Sequence, residues 1–190
     1  MSRIDVMVDI ETLGTGSNAT IFQIAAVAFN IETGEHCSKF NMIADISKSR
    51  KLNVDGSTLK WWLNTNKELL TDLLNKGEES SEDLLSKFNN WLMYLTSDLR
   101  DIYLWGNGIL FDNKMIQQQL TDSGEVYPIF YKNDRDVRTI VDLAGKKLGI
   151  TEQELKDKFK DDKLVHHDAF DDVKYQINLV AGCYKLLISK

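Results

Sequence analysis

The stretch Ile4-Asp-Val-Met-Val-Asp-Ile-Glu-Thr12 decides how the rest of this chain is read. Val6, Val8 and Ile10 alternate with Met7, Asp9 and Glu11, and β-branched residues dominate, so the spacing predicts a strand. Side chains two apart on a strand share a face, which sets the carboxylates of Asp9 and Glu11 side by side. Two adjacent anions at the end of an otherwise apolar strand repel each other. Burying them is costly unless a cation sits between them. Hard oxygen ligands on a rigid element suit Mg²⁺ or Mn²⁺. Taken alone, the motif fits equally well a strand that simply ends in a solvated polar loop, so the remaining chain has to decide.

Outward from this strand, Leu13-Gly-Thr-Gly-Ser-Asn18 reads as a turn-rich loop and 20–31 as a long apolar, buried strand. A turn at Glu32-Thr-Gly-Glu35 predicts a third strand near His36 to Ile43, paired back as an antiparallel meander. Ser57 or Thr58 can cap a helix carrying Leu59, Trp61, Trp62 and Leu63, with a second short helix over 66–76. Ser80 or Ser81, followed by Glu82 and Asp83, starts a stronger helix through Leu95. Ile102 to Trp105 reads as a short strand, Asp112 opens the next helix, and Tyr127 to Tyr131 reads as extended. Helices are expected at 136–148, ended by Gly149, at 152–160, and at 169–188 with an apolar stripe through Val173, Ile177, Val180 and Leu187. Strands first, then helices alternating with short strands, describe an α/β fold with a mixed sheet covered by helices.

With 190 residues, 43% of them hydrophobic, the chain can bury a full core, and one domain over residues 1–190 is expected. Its single proline and lack of low-complexity runs argue against a flexible linker. There is no apolar run near the ~20 residues a membrane span needs, and no signal-peptide pattern. Cys37 and Cys183 are too few for a disulfide or zinc framework. These features predict a soluble protein of a reducing cytoplasm with no membrane partner. The net charge of −6 excludes a broad electropositive nucleic-acid face. It does not exclude a phosphate site in which divalent cations neutralise a cluster of those carboxylates.

Acidic groups stand where strands end or helices begin in three places: Asp9 with Glu11, Asp112, and His166-His-Asp-Ala-Phe-Asp-Asp172. Asp112 follows a glycine-flanked turn after a strand, although an aspartate there is also an ordinary helix cap. In the last segment His166 with Asp171 and His167 with Asp172 have the same spacing, and residue chemistry alone leaves that choice open.

Together these motifs resemble the DEDDh exonucleases of the ribonuclease H-like superfamily. D-x-E-T matches Asp9-Ile-Glu11-Thr12, and the aspartate after an aromatic at a strand-to-helix turn matches Phe111-Asp112. H-x-A-x-x-D matches His167-Asp-Ala169-Phe-Asp-Asp172, and Ala169 settles the register for His167 and Asp172. Thr58-Leu-Lys-Trp-Trp62 and Asn133-Asp-Arg-Asp-Val-Arg-Thr139 are similar to stretches in phage exodeoxyribonucleases of the DexA type and in RNase T-like exoribonucleases of the RNase AS kind.

The resemblance implies a ribonuclease H-like sheet of five strands, an antiparallel meander followed by parallel strands. It implies a metal-dependent 3′–5′ exonuclease acting on the 3′ end of single-stranded DNA or RNA and releasing 5′-mononucleotides. Two ions, Mg²⁺ or Mn²⁺, would be held by Asp9, Glu11, Asp112 and Asp172, with His167 as the general base. Thr12, Leu13 and Gly14 would cradle the terminal nucleotide, Leu13 as a wedge, with Phe111 stacking nearby and Asn107 and Asn113 within reach of substrate. Trp61 and Trp62 are read as packing residues, because only one of two consecutive helical residues can face inward. Arg135 and Arg138 are either a phosphate clamp or parts of intramolecular or subunit-interface salt bridges. Relatives of this kind are often dimers, so a homodimer is a further expectation, and the location would be host cytoplasm for a phage-encoded chain. A polymerase-bound proofreading module and a non-catalytic nucleic-acid-binding domain are the rival readings.

Overall fold

The computed structural model describes residues 3–189. Three strands, β1 (Ile4–Thr12), β2 (Ile21–Phe29) and β3 (His36–Ile43), form the antiparallel meander. On the other side of β1 the sheet continues in parallel through β4 (Ile102–Gly106) and β5 (Asp134–Asp136). The order across the sheet is β3-β2-β1-β4-β5, so the opening acidic strand is the central one.

The alternation along β1 is spent on two different cores. Val6, Val8 and Ile10 pack with Leu84, Phe88 and Leu92 of α3 (Ser81–Tyr94) and Met115, Ile116 and Leu120 of α4 (Asp112–Asp122). Met7 packs on the opposite face with Val137 and Val141 of α5 (Val137–Leu148) and Val173, Ile177 and Val180 of α7 (Ala169–Ile188). Because both faces are covered, β2 is buried at every position, which is why its sequence is continuously apolar rather than alternating. A third cluster joins Leu13 and Phe22 to Trp62, Leu70 and Leu73, where α1 (Gly56–Thr65) and α2 (Lys67–Asn75) cover the loop leaving β1.

Helix ends follow the sequence closely. Ser80 caps α3, Asp168 caps α7, and Thr151 with Glu154 forms a capping box on α6 (Glu152–Lys158). Gly149 closes α5 in the left-handed conformation, at φ 68°. The first helix begins at Gly56 behind Asp55, one to two residues before the serine or threonine expected to cap it.

One expectation is corrected. The fifth strand is the polar segment Asp134–Asp136, not Tyr127 to Tyr131. Pro128 lacks a donor for a strand ladder, and Ile129 is instead buried against the α3–α4 core. A three-residue charged strand at a sheet edge carries no apolar signal, which suits an edge that must not recruit a further strand.

The functional consequence of the topology lies at the carboxyl end of β1. Its parallel ladder with β4 stops at Met7 and Trp105, while its antiparallel ladder with β2 runs on to Thr12. Asp9 and Glu11 therefore project beyond β4, on the face that α7 covers. Among the described residues no helix is long and apolar enough to cross a membrane. The end of β1 is fastened by Trp62, which is 1% exposed and donates its indole N–H to the Thr12 carbonyl at 3.1 Å. Replacing Trp62→Phe keeps an aromatic ring there and deletes that donor. The expected cost is about 1 kcal/mol, read as a thermal midpoint lowered by about 2–4 °C. An unchanged midpoint would show that the bond does not hold the strand end.

Candidate active site

Period-two geometry puts Asp9 and Glu11 on the Met7 face of β1, and the start of α7 lies across from them. Asp172 belongs to the first turn of that helix. Asp112 arrives from the other side as the first residue of α4, with Phe111 in the cap position, so its carboxylate is not spent as a helix cap. His167 sits in the turn before α7 at φ 67° and donates its backbone N–H to Asp172 Oδ2 at 3.0 Å. Ligand atoms of Glu11, His167 and Asp172 all lie within 4.8 Å of one another. Asp171 is engaged elsewhere, with Lys174 Nζ at 2.7 Å and the Val165 N–H at 3.0 Å. His166 is an exposed neighbour whose Nδ1 stands 3.6 Å from Asp172 Oδ1.

The electrostatics of this arrangement are strained in one direction. Burial, and then repulsion from Asp112 and Asp172, push the Asp9 carboxyl well above the usual carboxylate range. Glu11 is pushed up by burial and by Asp9, Asp172 and Asp112. Asp112 rises to about 7, chiefly through burial, although the Ile10 backbone N–H and Arg138 hold it back. Asp172 rises through burial, against the pull of the His167 N–H. Four carboxyls raised together, two of them repelled by their neighbours within the group, are a site short of positive charge.

Two glutamines that sequence reasoning passed over stand beside the acids, and one of them bonds an acid directly. Gln176 donates Nε2 to Asp9 Oδ1 at 2.8 Å, while its buried Oε1 has no partner among the described residues. Its signal was its position one helical turn after Asp172. Gln23, fully buried, lies opposite Glu11 on β2, and its Oε1 accepts the Ala169 N–H at 3.3 Å. A lone amide inside an apolar strand was the cue there.

Beside the acids a cleft of about 350 Å³ is lined by Glu11, Thr12, Gly14, Trp61, Trp62 and Phe111, among others. Gly14 packs closely, because a Cβ there would lie 2.8 Å from Asp55 Oδ2 and would displace that carboxylate. Thr12 turns its hydroxyl to the Gly14 carbonyl at 2.6 Å. Asn107 is exposed on the turn after β4. Two residues expected to touch substrate do not reach the cleft. Leu13 is 3% exposed, inside the Phe22–Trp62 cluster, because α1 and α2 close over it. Asn113 is 3% exposed and spends its amide N–H groups on the Leu104 carbonyl and Asp134 Oδ1, tying β4 to β5. Conversely, Trp61, read as packing, is 40% exposed and lines the cleft.

The profile of the 3′–5′ exoribonuclease Rv2179c-like domain matches residues 4–184. The chain belongs to this family. With membership comes the enzyme class, a 3′–5′ exonuclease. An exodeoxyribonuclease of Enterobacteria phage T4 is 27% identical over 161 residues, 73% of this chain and 70% of that protein. Among solved structures, the nuclease domain of 3′hExo, a DEDDh family member bound to rAMP, is similar at TM-score 0.65 and 17% identity, over 97% of this chain and 92% of that one. Zinc-bound E. coli ExoI in complex with single-stranded DNA is similar at TM-score 0.64 and 18% identity. That match covers 98% of this chain, which spans only 40% of the ExoI chain. The product-bound exonuclease I is likewise spanned over 43% of its length. These likenesses bear out the ribonuclease H-like α/β fold.

Within this family member, the two arginines left open by the sequence part company. Arg135 stacks on Tyr103 at 4.7 Å and donates to the Lys132 and Asp134 carbonyls, an internal role. Arg138 is exposed and makes no side-chain hydrogen bond or salt bridge among the described residues. Its guanidinium rests on Gly108, where a Cβ would lie 3.1 Å from Nη2.

Raised carboxyl pKa values carry a definite sign for stability. In the native state these groups hold protons that the unfolded chain has lost, in the window from about 4 up to about 7 for Asp112. Metal-free protein therefore loses stability as pH rises through that window, and a divalent cation offsets the loss. Thermal midpoints in chelator should fall from about pH 5 to about pH 8. Mn²⁺ should raise the midpoint more at the higher pH, and Asp9→Asn should raise it without metal. A flat profile would show that the carboxyls are not raised above the usual carboxylate range.

Proposed function

We propose that this protein is a single-domain nuclease that removes 5′-mononucleotides one at a time from the 3′ end of single-stranded nucleic acid. The observation that carries the reading is the convergence of Asp9, Glu11, Asp112, Asp172 and His167 from three distant parts of the chain onto one edge of the sheet. The donor set fits hard divalent cations. Its carboxylates are already pushed toward protonation for want of positive charge, and three ligand atoms lie close enough to share an ion. Asp9, Glu11, Asp112 and Asp172 would hold Mg²⁺ or Mn²⁺, two ions in this reading. When bound, they stabilise negative charge on the attacking and leaving oxygens of the phosphodiester.

The remaining work falls to this chain's own residues. His167 accepts a proton from the attacking water, for which a neutral imidazole is suited near neutrality. The new P–O bond forms as the bond to the 3′-oxygen breaks. The phosphate stays on the released mononucleotide, and a 3′-hydroxyl is left on the shortened strand. Gln176 keeps Asp9 in a fixed orientation. The Thr12–Gly14 turn and Phe111 offer a cleft for the terminal nucleotide, and aromatic faces accept any base by stacking. Arg138, free beside Asp112, meets a phosphate of the strand and leaves Asn107 a polar contact on the same turn. The homodimer and the cytoplasmic location belong to this reading, and light scattering at twice the chain mass would support the dimer.

Labelled single-stranded DNA and the matched RNA, at equal enzyme and Mn²⁺, test the proposal. Chelator-sensitive release of mononucleotides from the 3′ end is expected from at least one of them, and the faster one names the sugar. No release from either, or release only after a polymerase is added, would favour a binding domain or a proofreading module instead. His167→Ala should lower turnover by about 10²–10⁴-fold while Mn²⁺ still raises the thermal midpoint. Unchanged turnover would remove His167 from the base role.

A further inference from the structure

The imidazole of His167 has a narrow support. It sits in a turn, on a backbone with φ 67° that side-chain-bearing residues rarely adopt. Its main-chain N–H is tied to Asp172, yet its ring makes no hydrogen bond among the described residues. What the ring does touch is aromatic. Trp61 stands edge-to-face with it, centroids 5.0 Å apart and planes at 87°, while the exposed His166 ring lies tilted at 6.2 Å and Trp62 at 6.4 Å and 77°.

We propose that Trp61 is a positioning residue that holds the His167 ring at the acidic cluster. The proposal rests on His167 acting as the base. Trp61 is itself braced, since its ring packs edge-on against Trp62 at 5.1 Å. Trp62 is buried and bonded to the Thr12 carbonyl, one residue beyond Glu11. A chain of contacts thus runs from the end of β1, through two indoles of α1, to a histidine contributed by the far end of the sequence. Edge-to-face aromatic pairs have a preferred geometry and a modest attraction, enough to favour one ring orientation over the alternatives open to a turn residue. Packing alone is a poor account of Trp61, because 40% of this large side chain is exposed at the cleft rim while its neighbour fills the core. The competing role for an exposed indole at that rim is a platform for a nucleic-acid base.

The two roles separate in a double-mutant cycle. Trp61→Ala and Trp61→Phe are assayed in the native background and in His167→Ala, with kcat and KM measured on a single-stranded oligonucleotide. Positioning predicts that Trp61→Ala lowers kcat by about 3–10-fold with KM nearly unchanged, and that Trp61→Phe restores most of the loss. In the His167→Ala background the same change should cost almost nothing. In metal-free protein the His167 ring-proton resonance should move on Trp61→Ala, as the indole ring current is lost, and return in part with Trp61→Phe. A raised KM at constant kcat, or an equal loss in both backgrounds, would overturn the positioning role and assign Trp61 to substrate or to the fold. If His167→Ala alone costs no turnover, the base reading falls and this inference falls with it. If that variant is too slow to assay, the split between kcat and KM and the resonance decide.

Discussion

Four carboxyl groups crowded at one end of a buried strand are the constraint around which this molecule is arranged. Every one of them is driven toward its neutral form first by burial, and Asp9 and Glu11 also by the charges of their neighbours. A fold gains nothing in stability from such a cluster, since repulsion in a poorly solvated site is a direct cost. The surrounding groups limit that cost without removing it. Gln176 donates to Asp9, the Ile10 N–H supports Asp112, and the His167 N–H supports Asp172. None of these brings a full positive charge. The deficit is one that divalent cations would satisfy, as the proposed function requires.

The scaffold is arranged so that this cost falls on rigid elements. The central strand is locked on both sides along most of its length, and both faces are covered by separate cores. Only its last residues run past the parallel neighbour, and there the first turns of α4 and α7 approach. A strand end met by two helix beginnings presents backbone N–H groups and leaves side chains room to converge. The third cluster, under α1 and α2, has a different task. It seals Leu13 and Phe22 and sets Trp62 against the strand end, which leaves Trp61 at the rim of the cleft facing His167. Two consecutive tryptophans thus divide the work, one facing inward and one facing the site.

Much of this was legible in the order of residues. The period of two along Ile4 to Thr12 placed Asp9 and Glu11 on one face. The Gly-flanked turn before Asp112, and the H-x-A-x-x-D run, fixed where the remaining acidic side chains enter. Less legible were contacts whose partners are far apart in sequence. Nothing near Leu13 announces that α1 and α2 will bury it, and nothing near Asn113 announces that Asp134 will take its amide. Gln23 and Gln176 lie among apolar neighbours and became meaningful only when the sheet register and the helix docking set them beside Glu11, Ala169 and Asp9. The short strand Asp134–Asp136 escaped because edge position, rather than composition, makes it a strand.

The sequence by itself determined the class of fold and the family and singled out five candidate groups, because local periodicity and motif spacing are properties of neighbouring residues. Tertiary structure alone decided which arginine is free, which tryptophan faces the histidine and which polar side chains are consumed as internal ties. Those outcomes depend on solvent exclusion and on contacts between segments up to more than a hundred residues apart, such as Trp61 with His167 and Asp9 with Gln176. Burial is a property of the assembled chain, and no window of sequence contains it.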